Sequence, residues 1–206
     1  MSKIVIGMPS NRGIRPEVVQ NLISFDLESQ KERNDLRLYF PQSSLLTLSR
    51  NNIMRDALKW EADWVLMWDD DTQIKDDNFF NLMKETAYKM NANVVGLPVR
   101  LKNGEEIVFN FADKVGDKYV NYKELPKEPK EIDVIGTGVM LINMAWIRKN
   151  WPKPPYFSVI DTETGAWPED WNFCQLVKEK GGKIVVEPRI ATVHHGNIGY
   201  TFDLPK

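Results

Sequence analysis

Residues 64–71 read Trp-Val-Leu-Met-Trp-Asp-Asp-Asp, so that five apolar residues run directly into three aspartates. A continuous apolar run of this length is typical of a strand that is buried on both faces. Three adjacent carboxylates repel one another unless a positive charge lies among them, and a divalent cation is the natural candidate. At the carboxyl end of a strand in an open parallel sheet, such a group faces the crevice in which ligands bind.

Side chains alternate along a strand, so Asp69 and Asp71 are expected to point the same way, with Asp70 opposed. The alternative is that the three acids form a solvated turn that caps the next helix near Asp76 and Asp77. In the first interpretation the carboxylates face the ligand crevice, and in the second they face solvent and the start of the next helix.

The segments on both sides of this stretch alternate between strand-like and helix-like patterns. Strands are predicted at residues 4–6, 36–40 and 93–97, and helices are predicted from Pro16, from an N-cap at Ser49, and over residues 79–90. Strands that alternate with helices predict an α/β fold with a mostly parallel central sheet and helices on both faces.

The character of the chain changes after residue 100. Residues 102–133 are rich in charge and carry turn signals at 102–104 and 115–117, which predicts a hairpin-rich insertion rather than a second domain. Beyond it we predict a core strand at 139–142, a loop rich in proline and aromatic residues, a helix over 170–180, and a strand pair, 183–187 with 190–194, that ends at the two histidines.

Composition limits the class of protein. The 206 residues carry 27 Lys+Arg against 29 Asp+Glu, a formal net charge of −2, and 42% of them are hydrophobic, which fits a single domain over residues 1–206. This balance excludes a generally basic coat, so binding to nucleic acid stays possible but has no support from the net charge. The single cysteine, Cys174, excludes an intramolecular disulfide, and we expect a cytoplasmic protein with no membrane association.

Three further motifs follow the aspartates in a fixed order: the stretch from Gly136 to Ile142, the stretch from Pro168 to Cys174, and His194-His195-Gly196. In this order and spacing the chain resembles a GT-A type glycosyltransferase, similar to small single-domain members found in bacteria and bacteriophages. The resemblance covers nearly the whole chain. It implies a Rossmann-like sheet and transfer of a sugar from a nucleotide-sugar donor, above all a UDP-sugar, with residues 1–100 as the donor half and 101–206 as the acceptor and metal half.

The resemblance also implies a donor site. Asp69 corresponds to the aspartate that holds the donor ribose, and Asp71 to the one that binds Mg²⁺ or Mn²⁺ against the diphosphate. Hard carboxylate oxygens suit both ions, and a ligand from His194 or His195, with His194 preferred, favours Mn²⁺. The remaining residues expected to bind the donor are Pro9, Ser10, Asn11, Arg12, Arg50, Asn51, Asp70 and Gly138.

On the acceptor side, the resemblance implies that Asp170 is the general base of an inverting reaction and that Glu169 orients the acceptor or the base. Two acids at a helix N-terminus also complement the helix dipole, which is the structural alternative for this pair. Aromatic side chains near the pair are expected to stack on sugar rings or bases, although some belong to the core. These residues are Trp151, Tyr156, Phe157, Trp167 and Trp171.

Other functions remain open at this stage. A phosphatase of the haloacid-dehalogenase type is disfavoured, because Gln73 stands where a Thr or Val is expected. A nucleotidyltransferase is disfavoured because the segment from Ser10 to Arg15 contains only one glycine, Gly13. A non-catalytic nucleotide- or glycan-binding module is the third alternative. The acceptor is expected to be a sugar, a small molecule or, for a phage protein, a modified nucleobase.

Overall fold

The structure is a computed structural model that describes residues 1–10, 13–102, 105–163, 165–196, 199–201 and 204. Its elements, in chain order, are β1 (Lys3–Gly7), α1 (Pro16–Lys31), β2 (Asp35–Tyr39), α2 (Leu46–Lys59), β3 (Trp64–Trp68), β4 (Thr72–Ile74), α3 (Phe79–Met90), β5 (Val94–Gly96), β6 (Phe111–Val115), β7 (Lys118–Asn121), β8 (Lys130–Glu131), β9 (Val134–Ile135), β10 (Val139–Asn143), α4 (Met144–Asn150), β11 (Ile160–Thr162), β12 (Gly165–Trp167), α5 (Glu169–Glu179), β13 (Ile184–Val186), β14 (Thr192–His195) and β15 (Gly199–Tyr200).

The central sheet has seven strands in the order β2-β1-β3-β10-β5-β13-β8. Strands β1, β2 and β3 are parallel to one another, and β13 is parallel to β5. Strand β10 lies between β3 and β5 and is antiparallel to both, while β8 is antiparallel to β13. Five of the seven strands therefore run in one direction, which confirms the predicted α/β fold with a mostly parallel sheet.

Alternating side chains of the central strands fill two cores, one on each face of the sheet. Val5, Val65 and Met67 face the core that holds the buried sides of α2, α4 and α5. Ile6 and Leu66 face the opposite core, together with the buried sides of α1 and α3. Helices on both faces explain why residues 64–68 are apolar without alternation, since every position of β3 is buried.

Several sequence-based boundaries are wrong. Helix α2 begins at Leu46, and Ser49 lies buried inside it rather than at its N-cap, because the chain already turns where Ser43 Oγ accepts a hydrogen bond from the Leu45 N–H. The two strands predicted to form a pair near the C-terminus belong to different sheets: β13 joins the central sheet, and β14 pairs with β4 and β15. Helix α4 and strands β4, β11 and β12 were not predicted.

The insertion contains the predicted hairpin around Gly116, formed by β6 and β7, and β6 also pairs with β9. The other predicted turn falls on Asn103 and Gly104, which lie outside the described residues. Strand β9 contacts α5, so the hairpin sheet packs on the same face of the central sheet as α5. In the described part of the chain, each of the five helices is too short or too polar to cross a bilayer.

Candidate active site

A cleft of about 760 Å³ opens at the carboxyl end of β3. Many of the residues predicted to bind donor or metal line it together: Pro9, Ser10, Arg50, Asp69, Asp70, Asp71, His194 and His195. The predicted Arg12 and Asn11 lie outside the described residues. The cleft is also lined by Arg15, Lys102, Ser43 and Ser44, which the sequence analysis did not assign to the site.

The three aspartates form a turn that leaves β3. The Asp69 N–H donates to the Gly138 carbonyl at 3.0 Å, and the Asp69 carbonyl accepts from the Thr72 N–H at 3.2 Å. Because the chain turns here instead of extending, strand alternation does not apply, and Asp70 faces the cleft along with its two neighbours. The prediction that Asp70 is opposed to Asp69 and Asp71 is therefore wrong, and so is the interpretation of the triplet as a cap for α3, which begins after Asn78.

Asp70 connects this turn to the loop that follows β1. Its carbonyl accepts a hydrogen bond from the Arg15 N–H at 3.0 Å. Burial raises the pKa of the Asp70 carboxyl, a hydrogen bond from Ser10 acts against that rise, and the charges of Asp71 and Asp69 add to it. The loop predicted to hold the nucleotide base is thus attached directly to the aspartate turn.

His194 reaches Asp71 because β4 follows the aspartates at once and pairs with β14, with Thr72 opposite His194. The His195 N–H donates to the Asp71 carbonyl at 2.8 Å and fixes this register. The His194 ring then places Nε2 3.5 Å from Asp71 Oδ1. The His195 ring lies on the other side of the strand, where its Nε2 is 3.3 Å from Gln73 Oε1.

The chemistry of this pair fits a metal ion. His194 Nδ1 lies 2.9 Å from the Arg100 carbonyl oxygen, which can only accept, so Nδ1 carries the proton. Nε2 then faces Oδ1 of Asp71, and either a proton on Nε2 or a metal ion can join the two atoms. A backbone carbonyl behind the ring is also the usual support of a metal-binding histidine.

This pair does not form a complete metal site. Among the residues that the structure describes, no three His, Cys, Asp or Glu side chains are grouped to hold an ion. A metal bound here therefore needs further oxygen ligands, which phosphate groups and water supply in sites for Mg²⁺. Ligation by His194 remains a prediction, and His195 does not share the contact with Asp71.

A lysine already occupies the second oxygen of the predicted metal ligand. Lys102 Nζ lies 2.6 Å from Asp71 Oδ2, and both side chains are about 30% exposed. Desolvation acts to raise the pKa of Asp71, but the contacts with His194 and Lys102 outweigh it and lower that pKa to about 2. The Asp71 carboxyl is therefore ionised at neutral pH.

Arg50 joins the aspartate turn to the start of α5. Its side chain is only 3% exposed, and the guanidinium contacts Asp69 Oδ1 at 3.1 Å through one terminal nitrogen and Glu169 Oε1 through the other. An arginine fork can hold two carboxylates in a fixed relative position. The contact between Arg50 and Glu169 explains how motifs 100 positions apart in the chain belong to one site.

Glu169 and Asp170 are the first residues of α5, at the Arg50 end of the cleft and outside its lining. Burial raises the pKa of the Asp170 carboxyl, while the charge of Arg50 and the hydrogen bond from the Trp171 N–H act to lower it. A carboxylate with a raised pKa binds a proton more readily, which is the property that a general base requires.

Two predicted donor ligands have structural roles instead. The Asn51 side chain is buried: its NH₂ group donates to the Thr47 and Phe157 carbonyls, and its oxygen accepts from the Tyr156 N–H, so it anchors the segment at 156–157. Gly138 is buried too, and a Cβ there would lie 2.9 Å from Val99 Cγ2. Asn51 and Gly138 therefore do not belong to the proposed donor site.

The predicted aromatic cluster is divided between core and surface. Trp151, Tyr156 and Phe157 are buried in the core. Trp167 and Trp171 are half-buried and both pack on Tyr119 of β7, with ring centroids 5.2 and 5.3 Å apart. These three rings beside Glu169 make up what we term the aromatic platform.

Lys102, Arg15 and Tyr119 were missed because nothing local in the sequence distinguishes them. Lys102 stands in a turn signal, Arg15 precedes a helix, and Tyr119 lies in a charged hairpin. The only available signal was indirect: three adjacent acids require positive charge nearby, and that requirement does not say which lysine or arginine supplies it.

No protein-family model matches the chain, and no curated protein matches it in sequence. Solved structures do match. The viral protein A197 from STIV is similar with a TM-score of 0.67 and 17% identity over 95% of this chain and 86% of that protein. A Drosophila β-1,4-galactosyltransferase 7, crystallised with manganese, UDP-Gal and xylobiose, is similar with a TM-score of 0.51 and 12% identity, over 91% of this chain and 65% of that enzyme. These similarities show that the chain has a GT-A-like fold.

Proposed function

We propose that the protein is a metal-dependent glycosyltransferase that moves a sugar from a UDP-sugar to an acceptor hydroxyl with inversion. The observation that carries the proposal is the bridge through buried Arg50, which fixes Asp69 at the aspartate turn relative to Glu169 at the start of α5. A transferase needs a donor site and an acceptor site held in register, and this bridge provides the register. The galactosyltransferase with a similar fold was crystallised with a UDP-sugar and manganese, which supports the choice of donor.

In this proposal the cleft holds the donor. Pro9, Ser10 and Arg15 border the nucleoside, and Asp69 accepts hydrogen bonds from the ribose. Asp69 uses Oδ1 for Arg50, and a carboxylate has about four lone-pair positions, so the contact with Arg50 still leaves it able to accept from hydroxyl groups. This arrangement gives Asp69 a role that does not depend on a metal ion.

In the proposal, Asp71 and His194 would hold the metal ion beside the donor diphosphate. A bound Mg²⁺ or Mn²⁺ would neutralise the charge that the diphosphate gains as it leaves. The protein's own part is to fix the two ligands, through the pairing of β4 with β14 and through the Arg100 carbonyl behind the His194 ring.

Asp170 acts as the base. The acceptor oxygen attacks the anomeric carbon, Asp170 takes the hydroxyl proton, and the bond to the diphosphate breaks on the opposite side of that carbon. Glu169 is held by Arg50 and orients the acceptor hydroxyl. The acceptor lies over the N-terminus of α5 beside the aromatic platform, and is a hydroxyl of a sugar, another small molecule or a modified nucleobase in the cytoplasm.

The first test uses nucleotide sugars without an acceptor. Incubation with a panel of UDP- and GDP-sugars and Mn²⁺ is expected to release UDP slowly from one donor, because water can replace the acceptor at the base. Chromatography of the released nucleotide measures the rate, and a parallel incubation with EDTA is expected to show none. Binding of a donor without any release, with or without candidate acceptors, would favour a non-catalytic binding module.

The aromatic platform gives a second prediction. Trp167→Ala is expected to raise the KM for a sugar acceptor about 2- to 10-fold, because an aromatic face lost from a stacked contact contributes on the order of 0.5–1.5 kcal/mol. The affinity for UDP should not change, since Trp167 lies outside the cleft lining. Steady-state kinetics with varied acceptor, and calorimetry with UDP, measure the two quantities.

Trp60→Ala is the matched control for this variant. Trp60 is also a half-buried tryptophan, but it lies at the end of α2 against Arg37. Its loss should cost stability without changing the acceptor KM. An equal rise of KM in both variants would show that the effect at Trp167 is a general loss of packing.

A further inference from the structure

Lys102 is the cleft residue whose position the proposed function leaves unexplained. Its ammonium lies 2.6 Å from Asp71 Oδ2, on the carboxylate that is proposed to bind the metal, while His194 Nε2 faces Oδ1 of the same group. A divalent ion bound to Asp71 would therefore be repelled by the Lys102 ammonium, which is hydrogen-bonded to the same carboxylate. Either the lysine leaves Asp71 when the ion binds, or the ion binds weakly.

Among the described residues that line the cleft, two arginines, Arg15 and Arg50, also carry positive charge, and they are held differently. Arg50 is buried and bound to Asp69 and Glu169. Arg15 donates from a terminal nitrogen to the Gly196 carbonyl at 3.1 Å. Among the cations that line the described part of the cleft, Lys102 thus stands out because its partner is the proposed metal ligand.

The backbone before Lys102 is held by hydrogen bonds, whereas the ammonium sits at the end of a long side chain. The Leu101 N–H donates to the Val108 carbonyl at 2.8 Å, and the Arg100 carbonyl accepts from His194. The lysine side chain is 31% exposed and borders the cleft, and its four-carbon stem has several rotatable bonds. Its ammonium can move within the cleft while the main chain stays in place.

We propose that Lys102 is a tethered cation that holds Asp71 in the free protein, releases it to the divalent ion when the donor binds, and then contacts the donor diphosphate. In the free protein, the ammonium offsets the repulsion among Asp69, Asp70 and Asp71. When a divalent ion occupies Asp71, repulsion between like charges drives the ammonium away, and the diphosphate is the anion within reach. Lys102 therefore makes metal binding depend on the nucleotide.

This inference rests on the proposed function, and Lys102→Met tests it through two affinities that should change in opposite directions. Without nucleotide, the affinity for Mn²⁺ is expected to rise about tenfold, because a charge-assisted hydrogen bond no longer competes for Asp71. With Mn²⁺ saturating, the affinity for UDP is expected to fall about tenfold, because the diphosphate no longer has the Lys102 ammonium as a partner. Electron paramagnetic resonance of free Mn²⁺ measures the first affinity and calorimetry the second.

Two further variants separate this role from a structural one. Lys102→Arg keeps the charge and should retain most of the UDP affinity. Lys118→Met removes an exposed lysine of the β6–β7 hairpin, outside the cleft, and should change neither affinity. If Lys102 merely stabilised the site, its replacement would weaken both Mn²⁺ and UDP binding.

The outcomes also separate the inference from the proposed function. An unchanged or lower Mn²⁺ affinity in Lys102→Met, with normal UDP binding by the wild type, would overturn the inference and leave the proposed function intact. A wild-type protein that binds neither UDP nor another nucleoside diphosphate would overturn the proposed function, and with it the transfer of Lys102 to the diphosphate.

Discussion

Asp170→Asn is expected to lower the rate of sugar transfer by about 10²–10⁴ while the affinity for UDP stays unchanged, since a positioned general base contributes this much to the chemical step. The amide keeps the size of the carboxyl and can still accept from the Trp171 N–H, so the start of α5 should keep its geometry. Single-turnover kinetics with donor and acceptor bound measure the step directly.

The same variant is expected to be more stable than the wild type at pH 7. Burial raises the pKa of Asp170 above 3.8, so folding favours its protonated form. The stability that this preference contributes is present below the unfolded pKa and is lost as the pH rises through the folded pKa. At neutral pH the ionised carboxyl therefore costs stability, which the amide avoids, and the difference in Tm should shrink towards pH 4.

Asp117→Asn, in an exposed turn of the insertion, is the control for both effects and should change neither rate nor Tm. If Asp170→Asn transfers sugar at nearly the wild-type rate, the reaction retains configuration or uses another base. A Tm below that of the wild type at pH 7 would show that the carboxylate contributes more to packing than its burial costs.

Asp71→Asn is expected to remove the part of UDP affinity that depends on Mn²⁺. Asp71 is the charged member of the proposed ligand pair. Loss of a residue that only supports a metal ligand weakens metal binding roughly 10- to 100-fold, and loss of the ligand Asp71 itself should weaken it by more. The amide also loses the strong contact with Lys102. Calorimetry of UDP binding with Mn²⁺ and with EDTA separates the two parts of the affinity.

Asp77→Asn, an exposed residue ahead of α3, is the matched control and should keep the full effect of Mn²⁺ on UDP binding. UDP affinity in EDTA should be similar in Asp71→Asn and the wild type, because the ribose contact is assigned to Asp69. An equal response to Mn²⁺ in Asp71→Asn and the wild type would remove Asp71 from the metal site.

The sequence predicts those parts of the fold that are set by local periodicity. The apolar run 64–68 became a central strand buried on both faces, and Pro16 begins α1, because a proline at the first helical position loses no hydrogen bond. The two C-terminal strands were wrongly predicted to pair with each other. Strand pairing depends on partners that are distant in the sequence, and local periodicity does not reveal them. Strand β14 pairs with β4 instead. Strand β4 has only three residues, which is too short for its hydrophobic pattern to be recognised in the sequence.

For the site, the sequence indicated the acids and both histidines but not how they are joined. Arg50 was placed near the donor, yet its two ion pairs depend on α2 and α5 packing on the same face of the sheet. The next residue, Asn51, directs its side chain at the segment 156–157 and not at the cleft. No local feature of the sequence distinguishes these two orientations. Neighbours on a helix diverge by about 100°, so only the packing decides which one faces the ligand.

The position of β10 between β3 and β5 has a consequence for synthesis of the chain. Both neighbours leave the ribosome well before residues 139–143, so the growing chain carries a gap in the middle of its sheet. Throughout that interval one edge of β3, a strand that is buried at every position in the folded protein, presents unpaired N–H and C=O groups to any other extended segment. We therefore expect this central edge of the nascent sheet to be open to pairing with other chains until β10 is inserted.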